Sequence, residues 1–382
     1  MADKRKRVCM VTSSVLVVRW FLRDQLRALT QDHDVTLIVN GEETALQAEV
    51  GAGVRVIRAG LERKISPWHD LKVLLELMRI FRRERFDVVH SVTPKAGLLS
   101  MMAAWICGVP VRIHTFQGEV WATRHGFMRA LLRFFDWLVA RLATVVLVVS
   151  ASERQFLITE GIIPADKSRV LANGSICGVD TERFAPPDPV QRRMARQQAG
   201  IADTDVLFLY VGRLAIDKGI LDLAQAFDHV WQQFPQARLM IVGPDEEGVV
   251  ARMDAMALKA RVAIQVHGYT AEPERYVQLA DVVCLPSYRE GFGMVLLEAA
   301  AMRVAVMASR IYGITDAVED GITGLLHPPA MISAIEDTML QLLRDPGLRE
   351  RLAEAGMQRA RRDFSRQTVI EAVRQFYQQL LR

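Results

Sequence analysis

Two cations and two carboxylates in the second half of this 382-residue chain sit in surroundings suited to a phosphorylated ligand. Gly212-Arg213-Leu214-Ala215-Ile216-Asp217-Lys218-Gly219 follows an apolar run. An arginine can grip phosphate oxygens through two parallel hydrogen bonds, and a lysine adds a point charge. Glycines at 212 and 219 let the backbone approach an anion and turn amides toward it. A plain strand-to-helix turn with two solvated cations would use the same residues. Glu290-Gly291-Phe292-Gly293 follows a second apolar run and opens a helical pattern through Met302 that holds Glu298. A glycine-rich loop at a helix start offers uncapped amides and the positive end of the helix dipole. Glu290 and Glu298 are eight positions apart, so they are not an acid–base pair on one helix face. Each could instead accept hydrogen bonds from vicinal hydroxyls, one from a sugar and the other from a ribose. Leu296, Leu297, Ala299 and Ala300 flank Glu298 and imply burial, where an ionised carboxylate needs a partner. His267-Gly268-Tyr269 follows a further apolar run. Backbone at Gly268 could read a base edge, and Tyr269 or Tyr276 could stack on it. An ordinary strand end explains these residues equally well.

The first half offers softer candidates. Ser13 and Ser14 follow the first apolar run, where hydroxyls and amides could line an acceptor pocket or simply cap a helix. Thr93-Pro94-Lys95 reads as an N-cap, a first helical proline and a cation, together an anion site suited to an acceptor's phosphate. Capping alone accounts for it as well. His114-Thr115-Phe116-Gln117-Gly118-Glu119-Val120-Trp121 follows a strand pattern. Gln117, Gly118 and Glu119 are its cleft candidates, while His114 is expected to point into the core.

These residues need elements that deliver them to one edge. Short apolar runs at 8–12, 35–39, 54–58, 87–91, 111–115 and 145–150 alternate with amphipathic stretches such as 21–30, 68–85 and 127–142. This β-α-β-α rhythm implies a doubly wound parallel sheet. It breaks in the proline-dense stretch 180–189, and restarts with runs at 206–211, 238–242, 263–267, 282–286 and 304–308. The expectation is an α/β protein of two Rossmann-like domains facing across a cleft, residues 1–185 and 186–365. Ligands in such sheets bind at the carboxyl ends of the strands, where the motifs above lie.

Composition narrows the class. Half of the chain is hydrophobic and a quarter charged, as in globular proteins. Residues 1–185 hold 26 Lys/Arg against 19 Asp/Glu (+7), and the rest 22 against 25 (−3), giving the overall +4. A basic first half suits an anionic partner, although solubility alone explains it too. No basic-aromatic motif points to nucleic acid. Cys9, Cys107, Cys177 and Cys284 have neither metal-ligand nor disulfide-framework spacing, and fit a reducing cytosol. The apolar run after the basic start at 1–7 is too short for a signal peptide, and no segment reaches the roughly 20 apolar residues of a membrane span. Membrane contact would be peripheral: residues 68–85 form an amphipathic pattern ending in Arg79, Arg82, Arg83 and Arg85. Burial of its apolar face in the domain is the simpler expectation.

Gly212-Arg213-Leu214, Asp217-Lys218-Gly219, Ala280-Asp281, Leu285-Pro286-Ser287, Glu290-Gly291-Phe292-Gly293, Glu298-Ala299, Gly313, Asp320-Gly321 and Thr323-Gly324-Leu325-Leu326 follow one another along the second half. In that order, from position 212 to 326 within a stretch of about 150 residues that follows the same pattern, they resemble the donor domain of retaining family 4 glycosyltransferases of the GT-B fold. Asp87-Val88-Val89-His90, Gly108-Val109-Pro110 and Gly178-Val179-Asp180 extend the likeness more loosely. The resemblance implies that Arg213 and Lys218 hold a donor diphosphate, that Glu290 contacts the sugar, and that amides around Gly291, Phe292 and Gly293 meet sugar and phosphate. It assigns Glu298 to the ribose. It further implies that residues 366–382 form a helix crossing back to the first domain. The leaving phosphate would be stabilised by protein cations and a helix dipole, without a metal or other cofactor. Asp203-Thr204-Asp205 is a D-x-D pair, but it precedes its strand and lies at the wrong edge of the sheet for a metal. Two departures stand out: no glycine pair occurs at 12–15, and Gln117 stands where many relatives place a histidine.

The expected reaction moves a hexose or N-acetylhexosamine from a UDP-sugar to a saccharide, which could be carried on a polyprenyl diphosphate at the inner membrane face. The first half is most similar to bacterial transferases that build surface polysaccharide. A glycoside phosphorylase or a nucleotide-sugar epimerase would keep the fold and change the chemistry. A non-catalytic nucleotide-sugar-binding subunit would fit the two departures.

Overall fold

Strand alternates with helix from Arg7 to His327, and every strand pairing is parallel. The computed structural model describes residues 5–62 and 66–381. The first four residues of the basic start lie outside that range. The chain divides into two units: Met1–Cys177 together with Gln367–Arg382, and Gly178–Arg366.

The first unit is built on seven strands, β1 Arg7–Thr12, β2 Asp34–Val39, β3 Val54–Arg58, β4 Val88–Val92, β5 Val111–Phe116, β6 Val145–Val148 and β7 Ser168–Arg169. Their spatial order is β3-β2-β1-β4-β5-β6-β7. Val8 pairs with Val35 on one side and Val88 on the other, so β1 is central and its apolar run is buried on both faces. The second unit holds β8 Val206–Val211, β9 Ala237–Val242, β10 Ile264–His267, β11 Val282–Leu285, β12 Ala305–Ser309 and β13 Leu325–His327, ordered β10-β9-β8-β11-β12-β13. Each sheet winds outward in both directions from its first strand. The winding direction switches between β1 and β4 in one unit and between β8 and β11 in the other. Crevices at such switch points are where doubly wound sheets bind ligands.

The division falls at Cys177/Gly178, ahead of the proline-dense stretch that suggests a hinge at 180–189. Instead of forming a free linker, Gly178–Asp180 pairs with the returning chain. The Val179 amide donates to the Phe364 carbonyl (2.8 Å), and the Arg366 amide donates to the Val179 carbonyl (2.8 Å). Asp180 and Arg366 add an ion pair at 2.8 Å. The last helix, Arg366–Leu380, then joins the first unit. Its Tyr377 hydroxyl lies 2.7 Å from His90 Nδ1, and Arg374 pairs with Asp32 at 3.0 Å.

Two short strands, β7 and β13, extend the sheets beyond the apolar runs, and the segment Val18–Leu22 is wound as a π-helix before the helix Arg23–Leu29. Cys9 and Cys284 are buried within strands.

Candidate active site

The switch point of the second unit gathers the charged motif residues. β8 delivers Gly212 and Arg213. A single 3-10 turn, Ile216–Lys218, then carries Lys218, and Gly219 starts the helix Ile220–Gln233. β11, the neighbouring strand, delivers Pro286, Ser287 and the loop to Glu290. The two loops lie against each other: the Tyr288 amide donates to the Asp217 carbonyl at 2.9 Å. A Cβ on Gly219 would stand 2.1 Å from the Pro286 carbonyl oxygen, and its φ of +67° is left-handed, so the site needs glycine twice over.

Lys218 Nζ donates to Glu290 Oε1 at 2.6 Å, and the Ser287 hydroxyl donates to the same oxygen at 2.9 Å. Lys218 and Glu290 side chains are both mostly buried. A second pair, Asp217 with Arg289 at 2.7 Å, runs between the same two loops. Burial would raise Asp217, but Arg289 and Lys218 hold its carboxyl below the usual range. Arg213 donates to Glu246 at 2.7 Å, a residue of the loop after β9. Burial works against the Arg213 charge, yet Glu246 outweighs it and holds the guanidinium above its ordinary value. Two cations are thus fixed at one sheet edge by carboxylates.

The helix Met294–Ala301 begins beside them. Its N-cap is Gly293 at φ +75°, which brings no side-chain acceptor to the first-turn amides. Gly291 and Phe292 lead into it, and Phe292 is buried against Phe364 (ring centroids 5.4 Å). A Cβ on Gly313 would lie 2.4 Å from the Gly291 carbonyl oxygen, so this loop too is held by a close glycine approach. Glu298 sits one turn into the helix. Burial pushes its carboxyl up to about 7, with Arg183 opposing the rise and Glu274 adding to it. Arg183 is itself paired with Glu274 at 2.7 Å, which limits what it offers Glu298. Gly268 follows the edge strand β10, and Tyr269 is exposed. The ring that packs near this strand end is Tyr276, 5.3 Å from His267.

Asp203 and Asp205 of the D-x-D pair face arginines, Arg193 at 3.8 Å and Arg238 at 3.3 Å. Ser287, Arg289, Glu246 and Arg183 were not picked out as site residues from sequence. Ser287 and Arg289 belong to the loop around Glu290. Glu246 follows a strand, the position where site residues are expected, whereas nothing local marks Arg183.

In the first unit the switch point brings Ser13 and Thr93 together, with their hydroxyl oxygens 3.0 Å apart. The sequence leads one to expect Thr93 as N-cap of the helix Pro94–Ile106, but its side chain makes no cap, and its hydroxyl bonds Ser13 instead. Its φ of +87° is rare for a β-branched residue, and marks a strained turn at the carboxyl edge of β4. Ser14 starts a short helical turn, also without a side-chain cap. Lys95 forms an ion pair with Asp70 of the helix Pro67–Glu84, so its charge is already matched. Gln117 is half-buried. The Gly118 amide donates to the Glu153 carboxylate, and Glu119 is 2% exposed. Glu119 therefore lies inside the unit rather than on an open wall. It neighbours Glu153 and Asp136, two carboxyls that burial and repulsion by Glu119 raise, Asp136 to about 7. His114 is buried as expected, 2.8 Å from the Ser91 hydroxyl, with burial pulling it down to about 3.

Family models match most of each unit. A model of group 1 glycosyl transferases matches residues 191–359, and one of the glycosyl transferase 4-like domain matches 18–174. The D-inositol 3-phosphate glycosyltransferase of Kribbella flavida is 32% identical over 328 residues, 77% of this chain and 74% of that one. This chain belongs to the family 4-like, group 1 glycosyltransferases. The capsular polysaccharide biosynthesis glycosyltransferase CapM of Staphylococcus aureus is 29% identical over 323 residues, 84% of each chain. An Escherichia coli transferase, UDP-Gal:alpha-D-GlcNAc-diphosphoundecaprenol alpha-1,3-galactosyltransferase, is 27% identical over 271 residues, 69% of this chain and 68% of that one. Among solved structures, Anabaena HepE in complex with UDP and glucose superposes with a TM-score of 0.81 at 17% identity, covering 98% of this chain and 100% of that one. The glycosyltransferase thus has the GT-B fold, with the charged site in the unit that the group 1 model matches.

Proposed function

We propose that this glycosyltransferase moves a hexose or N-acetylhexosamine from a UDP-sugar to a saccharide acceptor with retention of anomeric configuration, in the synthesis of a bacterial surface polysaccharide. The observation that carries the reading is the switch-point constellation of the second unit: Arg213 and Lys218 beside a helix start whose N-cap is Gly293, with Glu290 on Lys218. A diphosphate needs positive charge that strengthens as the leaving group departs, and fixed cations with a helix dipole supply it. Arg213 and Lys218 take the role a metal would otherwise fill, so transfer proceeds without one. Glu290 Oε1 receives both Lys218 and Ser287, which turns the other oxygen toward sugar hydroxyls. Glu298 receives the ribose hydroxyls, and Gly268 and Tyr269 border the base. The capsular polysaccharide relative and the UDP-bound structural neighbour support the pathway and the nucleotide. The galactosyltransferase relative supports an acceptor on a polyprenyl diphosphate, met at the cytoplasmic face of the membrane. Ser13, Ser14, Lys95 and Gln117 are assigned to the acceptor side of the first unit.

Incubation with UDP-glucose, UDP-galactose and UDP-N-acetylglucosamine, a polyprenyl-diphosphate saccharide and a chelator tests this. One donor should yield a lengthened glycan whose new linkage is α by NMR. A β linkage, or sugar release that needs free phosphate or no acceptor, would refute the assignment.

A further inference from the structure

The helix Gly126–Leu142 of the first unit buries Asp136, Val139 and Ala140 and leaves large aromatic residues on its outer side. Three of its four charged residues turn toward Trp121 and Glu160: Asp136 is buried on the Trp121 indole (Nε1 to Oδ2, 2.8 Å), and the half-buried Arg129 and Arg133 lie over the Trp121 ring at 5.5 and 5.7 Å. Both arginines reach Glu160 at 3.3 Å. Its aromatic residues face outward. Phe127 is 79% exposed, Phe134 52% and Trp137 42%; Phe134 and Trp137 stack with ring centroids 5.8 Å apart. Residues 127, 130, 134, 137 and 141 share one helical stripe, which is apolar up to Arg141.

The neighbouring helices continue the feature. Pro67–Glu84, Pro94–Ile106 and Gly126–Leu142 pack side by side. The first exposes Trp68 (81%), Leu71 and Leu75, and the second Trp105 and Ile106. No carboxylate of these three helices is exposed: Asp70, Glu76 and Glu84 are half-buried and Asp136 is buried. Lys72, Arg79, Arg82, Arg83 and Arg141 are exposed, and Arg124 stands just before the third helix. Exposed aromatic groups without exposed negative charge, bordered by cations, match a hydrocarbon boundary beneath anionic headgroups.

We propose that this three-helix face, centred on Phe127, Phe134 and Trp137, docks the protein on an anionic lipid bilayer. A lipid-carried acceptor would be met at such a surface, but the inference rests on the helix faces and not on the assigned reaction.

The test is flotation of the full chain with vesicles of phosphatidylcholine alone or with phosphatidylglycerol added. Wild-type protein should float with the anionic vesicles at low salt and less at high salt, and not with phosphatidylcholine alone. Phe134→Ser and Trp137→Ser should each cut the bound fraction roughly tenfold. An unchanged shift of their melting temperature by UDP would show that both variants are folded with an intact donor site. Wild-type protein that stays at the bottom, or variants that float like wild type, would overturn the proposal. So would light scattering that finds a wild-type dimer turned monomeric by Trp137→Ser with no vesicle binding, which would assign the face to a second copy. None of these failures touches the UDP reading, which the melting shift reports separately.

Discussion

Lys218 and Glu290 meet at 2.6 Å, from loops that leave adjacent parallel strands 72 positions apart in sequence. The contact pairs the two opposite charges. When a diphosphate arrives, the ammonium can be shared between carboxylate and phosphate oxygens, which draws Glu290 toward the sugar that the phosphate carries. On the proposed reading, one ion pair would tie nucleotide grip to sugar placement.

Replacing Lys218 with Ala should lower kcat by about 100-fold, the usual scale for losing one preorganised donor to a developing charge. The acceptor KM should change little. Lys218→Arg should restore only part of the rate, because a planar guanidinium does not reproduce a point charge at 2.6 Å. Steady-state kinetics with the active UDP-sugar measures both, and a Lys218→Ala variant with wild-type kcat would remove the residue from the mechanism.

Glu298 gives a pH dependence of defined sign. Its carboxyl titrates near 7 because burial disfavours its charge, while a ribose diol is best held by the ionised form. UDP binding should then expel a proton, and affinity should fall as pH drops from 8 to 6. Glu298→Gln should flatten that slope, leaving only the titration of the nucleotide's own phosphate. Glu298→Ala should weaken UDP by roughly 10-fold or more through lost hydrogen bonds. Calorimetric titrations at three pH values separate these outcomes.

Much of this site was legible in the residue pattern. Arg213, Lys218, Glu290 and Glu298 each follow or shortly succeed an apolar run, and strand-end position is a local property that sequence preserves. Pairings were not legible. Lys95 meets Asp70, and Arg213 meets Glu246, across separations that only the packed sheet defines. Glu119 looked like a polar loop residue, and its burial depends on Glu153 and Asp136 arriving from two later helices. β7 and β13, two and three residues long, are too short to show periodicity. The positive φ of Thr93 has no composition signal, since glycine would ordinarily stand there.

Gly219→Ala should destabilise the fold by about 1–3 kcal/mol, since it combines a left-handed φ with a 2.1 Å approach to the Pro286 carbonyl. Any relief must push the Pro286–Ser287 strand end away and carry Glu290 with it. Urea unfolding and UDP affinity should therefore worsen together. Lowered stability with unchanged UDP binding would show that the two loops are not mechanically linked.

Asp136 makes a stability prediction for the first unit. Its folded value, about 7, lies above its ordinary value of 3.8, with burial the main cause and Glu119 second. A carboxyl raised on folding contributes full stability below its unfolded value and loses it as pH rises through the folded one. Wild type should lose stability relative to Asp136→Asn between pH 5 and pH 8. The asparagine can still accept from the Trp121 indole, so the difference isolates the charge. Parallel urea midpoints for the two proteins at both pH values would contradict the assignment.

The most direct test of the central claim is the melting temperature with UDP, GDP and ADP in the presence of a chelator. UDP at about 100 times its dissociation constant should add roughly 2.7 kcal/mol of stability. Lys218→Ala and Glu298→Ala should each lose most of that shift, and GDP and ADP should give less. An equal or larger shift with another nucleotide, no shift with UDP, or a UDP shift unchanged in both variants would contradict a UDP-sugar site at Lys218, Glu290 and Glu298.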